Sequence, residues 1–419
     1  MTLNIAQAVV EIEFTQSSAT ANFVLNDATR GVLNGTTYKL GGAVWTDVTN
    51  RAYQTNIDRG KNQALSRYNA GTMSVELDNS DAYFDPTIPA GTSGYPYAGQ
   101  IIPGKRIRVT VGTERQFLGV IQDWDLEYPL GGRATATARA ADAFVQLANR
   151  SLDADTFSSA LSSSMLTTVL DQPEVAFDTS LRDIQTGNTT LQTTTVALGT
   201  NVLTFLQLIE ASEPGALFVS KDGYLTFRSR RYQAEYDGAI VITDDGTSVT
   251  WRSMEVDYGS ELLYNRATIQ REGGTTQVAD DTASQAIYGI LAYSAEGLIM
   301  NTDAVALSMA QYYANTYGDP VFRPKRVTLD MAAQTGSNQG LLQALDLEDL
   351  VLISFTPPGG LLIERYMSVA GIHHRMGPGR HVIDLDLIDA ADQGMIWGDP
   401  ALAPEDQPLS LLDSNRYGF

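Results

Sequence analysis

All three histidines of the chain, His373, His374 and His381, fall within one short stretch. A zinc site needs three or four converging ligands. Adjacent residues on a strand point to opposite faces, so His373 and His374 do not serve one metal easily. His381 lies across the Gly377-Pro378-Gly379 turn and can approach one of them. The expectation is therefore polar residues on a solvated hairpin, with no metal. Asp78, Ser80, Asp81 and Asp85 in DNSDAYFDP suggest a calcium loop, but the spacing lacks the glycine and terminal glutamate of an EF-hand. Turn-forming Asx chemistry explains them more simply. Gly99 to Lys105 has the spacing of a phosphate-binding P-loop. It is rejected, because Arg106 stands where Ser or Thr should hold magnesium and RIRVTV reads as a strand. With no cysteine and no GxSxG, no nucleophile can be singled out. No catalytic residue, cofactor or metal is expected.

One electrostatic pattern remains. In Asp123-Trp124-Asp125-Leu126-Glu127-Tyr128, acids and apolar residues alternate, and Asp384-Leu385-Asp386-Leu387 repeats the alternation. One reading is an ordinary solvated sheet face. The sharper reading is a β-lined channel with Asp123, Asp125, Glu127, Asp384 and Asp386 inward, where like charge keeps a passing polyanion from sticking. Tyr83, Phe84, Tyr95 and Tyr97 form a second group, as aromatic candidates for contact with a partner.

The elements that must position these residues are mostly strands. Val10, Ile12 and Phe14 alternate with Glu11 and Glu13; Met73, Val75 and Leu77 form one face; Ile107, Val109 and Val111 alternate with basic residues and Thr110. The loop from Asp78 to Gly104 is too long for a plain turn and reads as functional or held by a partner. Helices are few. One covers Val202 to Ala211, opening at the N-cap Asn201 and burying Val202, Phe205, Leu206 and Ile209. Another covers Ala304 to Tyr317, opening at Asp303, with the stripe Val305, Met309, Tyr312 and Thr316. Between them, Ala216 to Arg230 reads as a hairpin around Asp222-Gly223.

The chain carries a diverged internal repeat. Its first copy runs Thr72–Leu77, the long loop, Arg106–Val111, Phe117–Glu127 and Arg133–Ala140. Its second runs Arg326–Met331, a Gln/Gly/Asn-rich connection, Leu350–Phe355, Leu361–Met376 and His381–Ile388. Gly119-Val120-Ile121 and Gly371-Ile372 are placed at matching positions along the third strand. Two such modules per chain let a trimer present six around an axis, so a three-fold object docks on a six-fold one.

Composition bounds the rest. The 419 residues carry 28 basic and 49 acidic side chains, a net charge of −21. That argues against wrapping DNA or docking on an anionic membrane. Apolar residues make up 43% of the chain, enough for a real core. The N-terminus reads as no signal peptide, and no apolar run is long enough to span a membrane. The sequon Asn34-Gly-Thr and that at Asn188 read as chance without secretion.

Taken in order, these motifs resemble the tail hub (minor tail or baseplate hub) proteins of tailed bacteriophages. The resemblance rests on Trp45-Thr-Asp47-Val48-Thr49, Arg59-Gly60, Ala70 to Asn79, Asp81 to Pro86 and Pro103-Gly104-Lys105. It continues with Asp222-Gly223, Asn265-Arg266-Ala267, Ser284 to Gly289 and Asp346 to Val351. It ends with Pro357 to Gly360, Gly371 to His374 and Gly377 to His381, so that residues 45–390 are covered. One departure is Glu348, where the family commonly has Gly before Asp.

The resemblance implies an α+β, mainly β fold: two related tube-forming β-barrel-like domains with smaller α/β peripheral domains. The first tube-type domain is 1–145, with its long loop 78–104. A peripheral α/β domain follows at 146–245, then the second tube-type domain at 246–395 with a helical insertion at 282–318, and a C-terminal extension at 396–419. It also implies a non-enzymatic homotrimer at the tail tip of the virion, made in the host cytoplasm, with no appended lytic domain. This pseudo-six-fold ring sits under the hexameric tail tube. Its expected partners are the distal tail protein, the tape measure protein and receptor-binding or spike proteins. DNA passes through without specific binding, and the chain inserts in no membrane. Two alternatives stay open: a carbohydrate-binding receptor-recognition protein using Tyr95 and Tyr97, and a cell-wall hydrolase.

Overall fold

The computed structural model describes residues 7–14, 44–230 and 239–390. The expected C-terminal extension, the Asn34 sequon and residues 231–238 of the peripheral domain lie outside them.

Alternation of apolar and polar residues makes strands, and the strands assemble mainly into one large sheet. The first module contributes β1 (Ala8–Phe14), β2 (Val44–Asp47), β3 (Ala52–Gly60), β4 (Asn69–Asp78), β5 (Arg106–Val111), β6 (Glu114–Glu127) and β7 (Thr135–Ala141). The middle of the chain holds α1 (Ala143–Ala148), α2 (Ser162–Leu170), α3 (Val202–Ala211) and short strands. These are β8 to β14 in chain order: Ser151–Leu152, Asp155–Phe157, Ala160–Leu161, Arg182–Ile184, Thr190–Leu191, Thr194–Val196 and Thr200–Asn201. The hairpin β15 (Ala216–Val219) and β16 (Leu225–Arg228) follows, then β17 (Ile240–Thr243) and β18 (Ser253–Asp257). A small sheet of β19 (Arg266–Arg271), β20 (Gln277–Asp280) and β21 (Ala292–Leu298) is accompanied by α4 (Thr282–Tyr288) and α5 (Asp303–Thr316). The second module continues with β22 (Arg323–Asp330), α6 (Gly336–Ala344), β23 (Leu350–Phe355), β24 (Ile363–Gly377) and β25 (Arg380–Asp389).

The fold is α+β and mainly β, and its two modules share one topology. In the first, β3 pairs β4, β4 pairs β7, β7 pairs β6 and β6 pairs β5, all antiparallel. In the second, β18, β22, β25, β24 and β23 pair in the same order and sense. Even the bulge is repeated, between Ile121 and Asp123 in β6 and between Val369 and Gly371 in β24. The equivalence stops at the outermost strand, where β1 runs antiparallel to β5 but β17 runs parallel to β23. The modules are fused edge to edge, because β24 also pairs β3 through residues 371–376. One path of strands therefore crosses both modules.

The bulge fixes the alignment of the two copies and corrects one expectation. It sets Gln122 against Ala370, so Gly119 corresponds to Met367 and Gly371 to Asp123. The two glycines do not match. A bulge inserts one residue and changes register, which spacing alone does not reveal.

The sequence under-counted helices. The Gln/Gly/Asn-rich connection contains α6, which opens at Thr335, whose Oγ1 accepts from the Asn338 amide. Helices α1 and α2 are short and weakly periodic, and the sequence pattern does not mark them; α4 falls within the helical insertion expected from residue 282. The helix at Val202 is as expected, with Asn201 Oδ1 accepting from the Thr204 amide at 3.0 Å. In α5 the N-cap is Thr302, not Asp303. Its buried side centres on Ala306, Met309, Ala310, Tyr312 and Tyr313, while Val305 and Thr316 are only half-buried. Small alanines let that flank approach β19 closely, a preference that hydrophobicity counts miss. The Ala216–Arg230 hairpin forms around Gly223, whose positive φ of 88° suits the turn.

Three cores hold these layers. The first lies under β1 and β3–β7 and includes Ile12, Ile57, Val75 and Phe117. The second joins α1–α3 and β15–β16 to the inner side of the second module. The third packs α5 on β19. Each fully buried side chain of this size contributes about 1.5–3 kcal/mol against exposure.

Candidate functional site

Register decides which residues share a face. Asp125 opposes Thr137, Glu76 opposes Thr137 and Ser74 opposes Arg139 along β6, β7 and β4. Asn56 opposes both Ser74 and Arg375, while His373 opposes Asp58 and Asp384. Arg326 opposes Asp386 and Glu255. One polar face thus runs from β6 across the module junction to β18, and Asp123, Asp125, Glu127, Asp384 and Asp386 all lie on it. The two acidic stretches noted in the sequence belong to a single surface.

They are not equivalent on that surface. Asp123, Asp125 and Glu127 are exposed, and Asp125 receives Arg139 Nε at 2.5 Å. Asp386 is buried and receives Arg326 Nε at 2.6 Å and His373 Nε2 at 2.8 Å. Asp384 accepts from Thr328 Oγ1 at 2.7 Å and from Arg375. So the second acidic stretch is largely neutralised by its own sheet. Hydrogen bonds and charge from His373 and Arg326 outweigh burial and hold the Asp386 carboxyl below its usual range.

His373 ties the modules together. Its Nδ1 lies 2.9 Å from Asp58 Oδ1 on β3 and its Nε2 reaches Asp386 on β25. These two carboxylates raise its pKa to about 9, Asp386 first, so the ring is a cation at neutral pH. Sequence reasoning missed this role, because Asp58 is remote in the chain.

The other two histidines are not solvated. His374 and His381 are 2% and 3% exposed, and His374 Nδ1 meets His381 Nε2 at 3.0 Å. The expectation of a solvated hairpin is corrected: a pleated strand that exposes His373 must turn His374 toward the core. Burial lowers both pKa values, His381 to about 4, and each stays neutral. Among the described residues no group of three His, Cys, Asp or Glu side chains is placed to hold a metal ion.

Behind the junction lies a buried polar cluster. Arg59 Nη1 donates to Asp346 Oδ1 at 2.8 Å. Glu348 takes a φ of 69°, the left-handed conformation natural to the glycine expected there. Its buried carboxylate accepts from Tyr68 Oη and, at 3.3 Å, from Ser368 Oγ. A nearby cavity of about 290 Å³ is lined by Lys61, Glu210, Tyr293 and Tyr313 among others. Burial lifts the Glu210 carboxyl to about 7.

The aromatic loop is folded onto its own module. Phe84 is fully buried and stacks on Tyr97 at 5.4 Å and Trp124 at 6.0 Å. Tyr97 stacks on Phe14 at 4.5 Å, Tyr95 meets Tyr83 edge-on, and Arg51 lies over Tyr83 at 4.3 Å. The Asp-rich start of the loop makes Asx turns, Asp78 accepting from the Ser80 amide and Asp85 from the Thr87 amide, while Asn79 closes a wider turn by accepting from the Phe84 amide. Lys105 and Arg106 lead into β5 and no helix follows, as the rejection of a P-loop requires.

No family model and no curated protein sequence matches the chain. Solved structures do match. The 43 kDa tail protein of prophage MuSo2 from Shewanella oneidensis has a TM-score of 0.58 at 15% identity, covering 92% of this chain and 99% of that one. The tail protein from Neisseria meningitidis MC58 has a TM-score of 0.59 at 11% identity, with coverages of 92% and 99%. At these identities the likeness is one of fold, and it extends through both modules and the segment between them.

Proposed function

We propose that this chain is a structural component of a phage-type tail, and within it the hub at the tail tip. Three copies would form a pseudo-six-fold ring that adapts a hexameric tube to receptor-binding or spike proteins. The observation that carries the reading is the repeated topology: two modules with the same strand order and the same bulge, already joined edge to edge. Three chains of that kind offer six similar units around an axis. The fold-level likeness to two tail proteins supports the same assignment.

On this reading 1–145 and 246–395 are the tube-type domains, with β17 at Ile240–Thr243 already joined to the second, the remainder of 146–245 is peripheral, and the insertion expected at 282–318 also takes in β19 and β20. The polar face of the shared sheet lines the passage, its excess of carboxylates repelling DNA and its ion pairs leaving few isolated cations to bind phosphate. The tape measure protein, then DNA, would pass through it, and the distal tail protein would sit above. The role is mechanical, in a virion component assembled in the host cytoplasm. A carbohydrate-binding role for the aromatic loop gains no support, because Tyr97 stacks between Phe14 and Phe84 and Tyr83 is covered by Arg51.

A density map of the tail tip tests the proposal. Expected are three copies around the axis with the β3–β7 and β22–β25 face inward. One or two copies, or a position off the axis, would refute it.

A further inference from the structure

The fusion of the modules contains a pattern that the chain has not used up. In the internal junction, the far half of β24 pairs β3, with Ile372 opposite Arg59, His373 opposite Asp58, His374 opposite Ile57, Arg375 opposite Asn56 and Met376 opposite Thr55. The shared bulge makes the far half of β6 the equivalent of that half of β24. The common order of pairing makes β18 the equivalent of β3. Among the described residues, β6 beyond Ile121 has a partner strand, β7, on only one edge, and β18 has only β22.

Applying the internal pairing to these two edges sets Trp124 opposite Tyr258, Asp125 opposite Asp257, Leu126 opposite Val256, Glu127 opposite Glu255 and Tyr128 opposite Met254. Gly259 falls where Gly60 stands. The register sorts the side chains without conflict: Trp124, Leu126 and Tyr128 meet Tyr258, Val256 and Met254 on one face, and the carboxylates share the other. A slip of one residue in either direction would set two of the three apolar side chains of β6 against carboxylates. The edges also carry exposed apolar side chains: Tyr258 is 69% exposed, Tyr128 57% and Val256 38%. Such residues on an unpaired strand edge mark a surface for strand addition.

We propose that β6, from Trp124 to Tyr128, adds antiparallel to β18, from Met254 to Tyr258, of a second copy of this chain in that register. The contact is head-to-tail, so repetition carries the sheet around the ring. It rests on the ring reading above and deepens it to one seam. Asp123 ends the seam, since it stands where the internal junction has Gly371, whose missing Cβ leaves room beside Lys61.

The seam differs from its template in charge. Inside the chain a histidine cation meets Asp58; between copies, Asp125 meets Asp257 and Glu127 meets Glu255. Arg139 on Asp125, with Arg326 opposite Glu255 and Arg323 opposite Asp257, offsets part of this. Like charges directly opposite weaken strand pairing, so closure is opposed at low salt and eased by screening. This edge charge also keeps free copies from pairing indiscriminately.

The chain has no cysteine, which makes cross-linking a clean test. Opposed residues of an antiparallel pair lie within disulfide range. Leu126→Cys with Val256→Cys in one chain, oxidised within assembled tail particles, should give a covalent trimer that stops at three. Glu127→Cys with Glu255→Cys on the exposed face covers the case in which the first pair disturbs folding. Leu126→Cys with Glu255→Cys, on opposite faces, should stay monomeric. A disulfide within one chain would show the edges covered by the chain itself, and a ladder past three would overturn closure. Three copies by mass with neither pair linked would sink this seam and spare the ring. One or two copies would sink both. In purified protein, Glu127→Arg, which copies Arg375, should raise the trimer fraction severalfold at low salt, and an unchanged fraction would count against the seam.

Discussion

His373 is the side chain on which the junction is most exposed to pH. Its folded pKa of about 9 exceeds the unfolded 6.5, so its contribution is full below pH 6.5 and is lost as pH rises through 9. The shift corresponds to at most about 3 kcal/mol, counted once for the group with Asp386. His374 and His381 act oppositely. Their pKa values are lowered, His381 to about 4, so their contribution is present above pH 6.5 and is lost as pH falls toward 4. Melting temperature measured against pH should therefore fall on both sides of neutrality as far as these groups govern it. His373→Gln should flatten the alkaline limb alone. An alkaline limb unchanged in that variant would deny the ion pairs. Glu348 gives a second expectation. Glu348→Gly relieves a positive φ worth about 1 kcal/mol, but strands the buried Tyr68 hydroxyl, at about 1–3 kcal/mol. The single variant should be destabilised in urea melts, and adding Tyr68→Phe should recover most of the loss.

At the scale of elements, the β24–β3 pairing depends on close approach. A Cβ on Gly60 would lie 2.2 Å from the Ala370 carbonyl oxygen, at a φ of 110°. Gly60→Ala should therefore cost at least about 2 kcal/mol and loosen the junction. Hydrogen exchange at residues 371–376 checks it, with faster exchange expected there than in β5. Much of this architecture was legible in the sequence. Val10, Ile12 and Phe14 alternate and are buried, and Asn201 caps α3 as its type and position indicate. The order of strands in the repeat was also legible. The bulge was not, because no residue type marks it, and the glycines Gly119 and Gly371 drew attention to the wrong alignment. Helix α6 was hidden by its two glycines and by Ser337 and Asn338, which lower helix propensity. Its Thr335 cap and its packing in the second module, through Leu342, override that tendency.

For the whole molecule, the proposed hub role gives the polar face a testable consequence. Ser74→Lys with Gln54→Lys adds two cations in the middle of that face, on β4 and β3, away from both proposed seam edges. Stability should stay within about 0.5 kcal/mol of wild type. DNA release from particles should slow at low salt and recover at high salt, because phosphate attraction is screened. Release unchanged at both salts would mean that this face does not border the passage.

By itself the sequence determined which residues alternate, where several elements begin, that the strand pattern occurs twice and that Asp123, Asp125 and Glu127 share a strand face. All of these follow from local periodicity and residue chemistry. Only the tertiary structure decided that Asp384 and Asp386 share that face, that His373 bridges two modules while His374 is buried, and that Phe84 belongs to the core. Those facts depend on register and on partners such as Asp58, far off in sequence. Strand pairing brings such residues together through backbone hydrogen bonds, and no local pattern records which strand the partner will be.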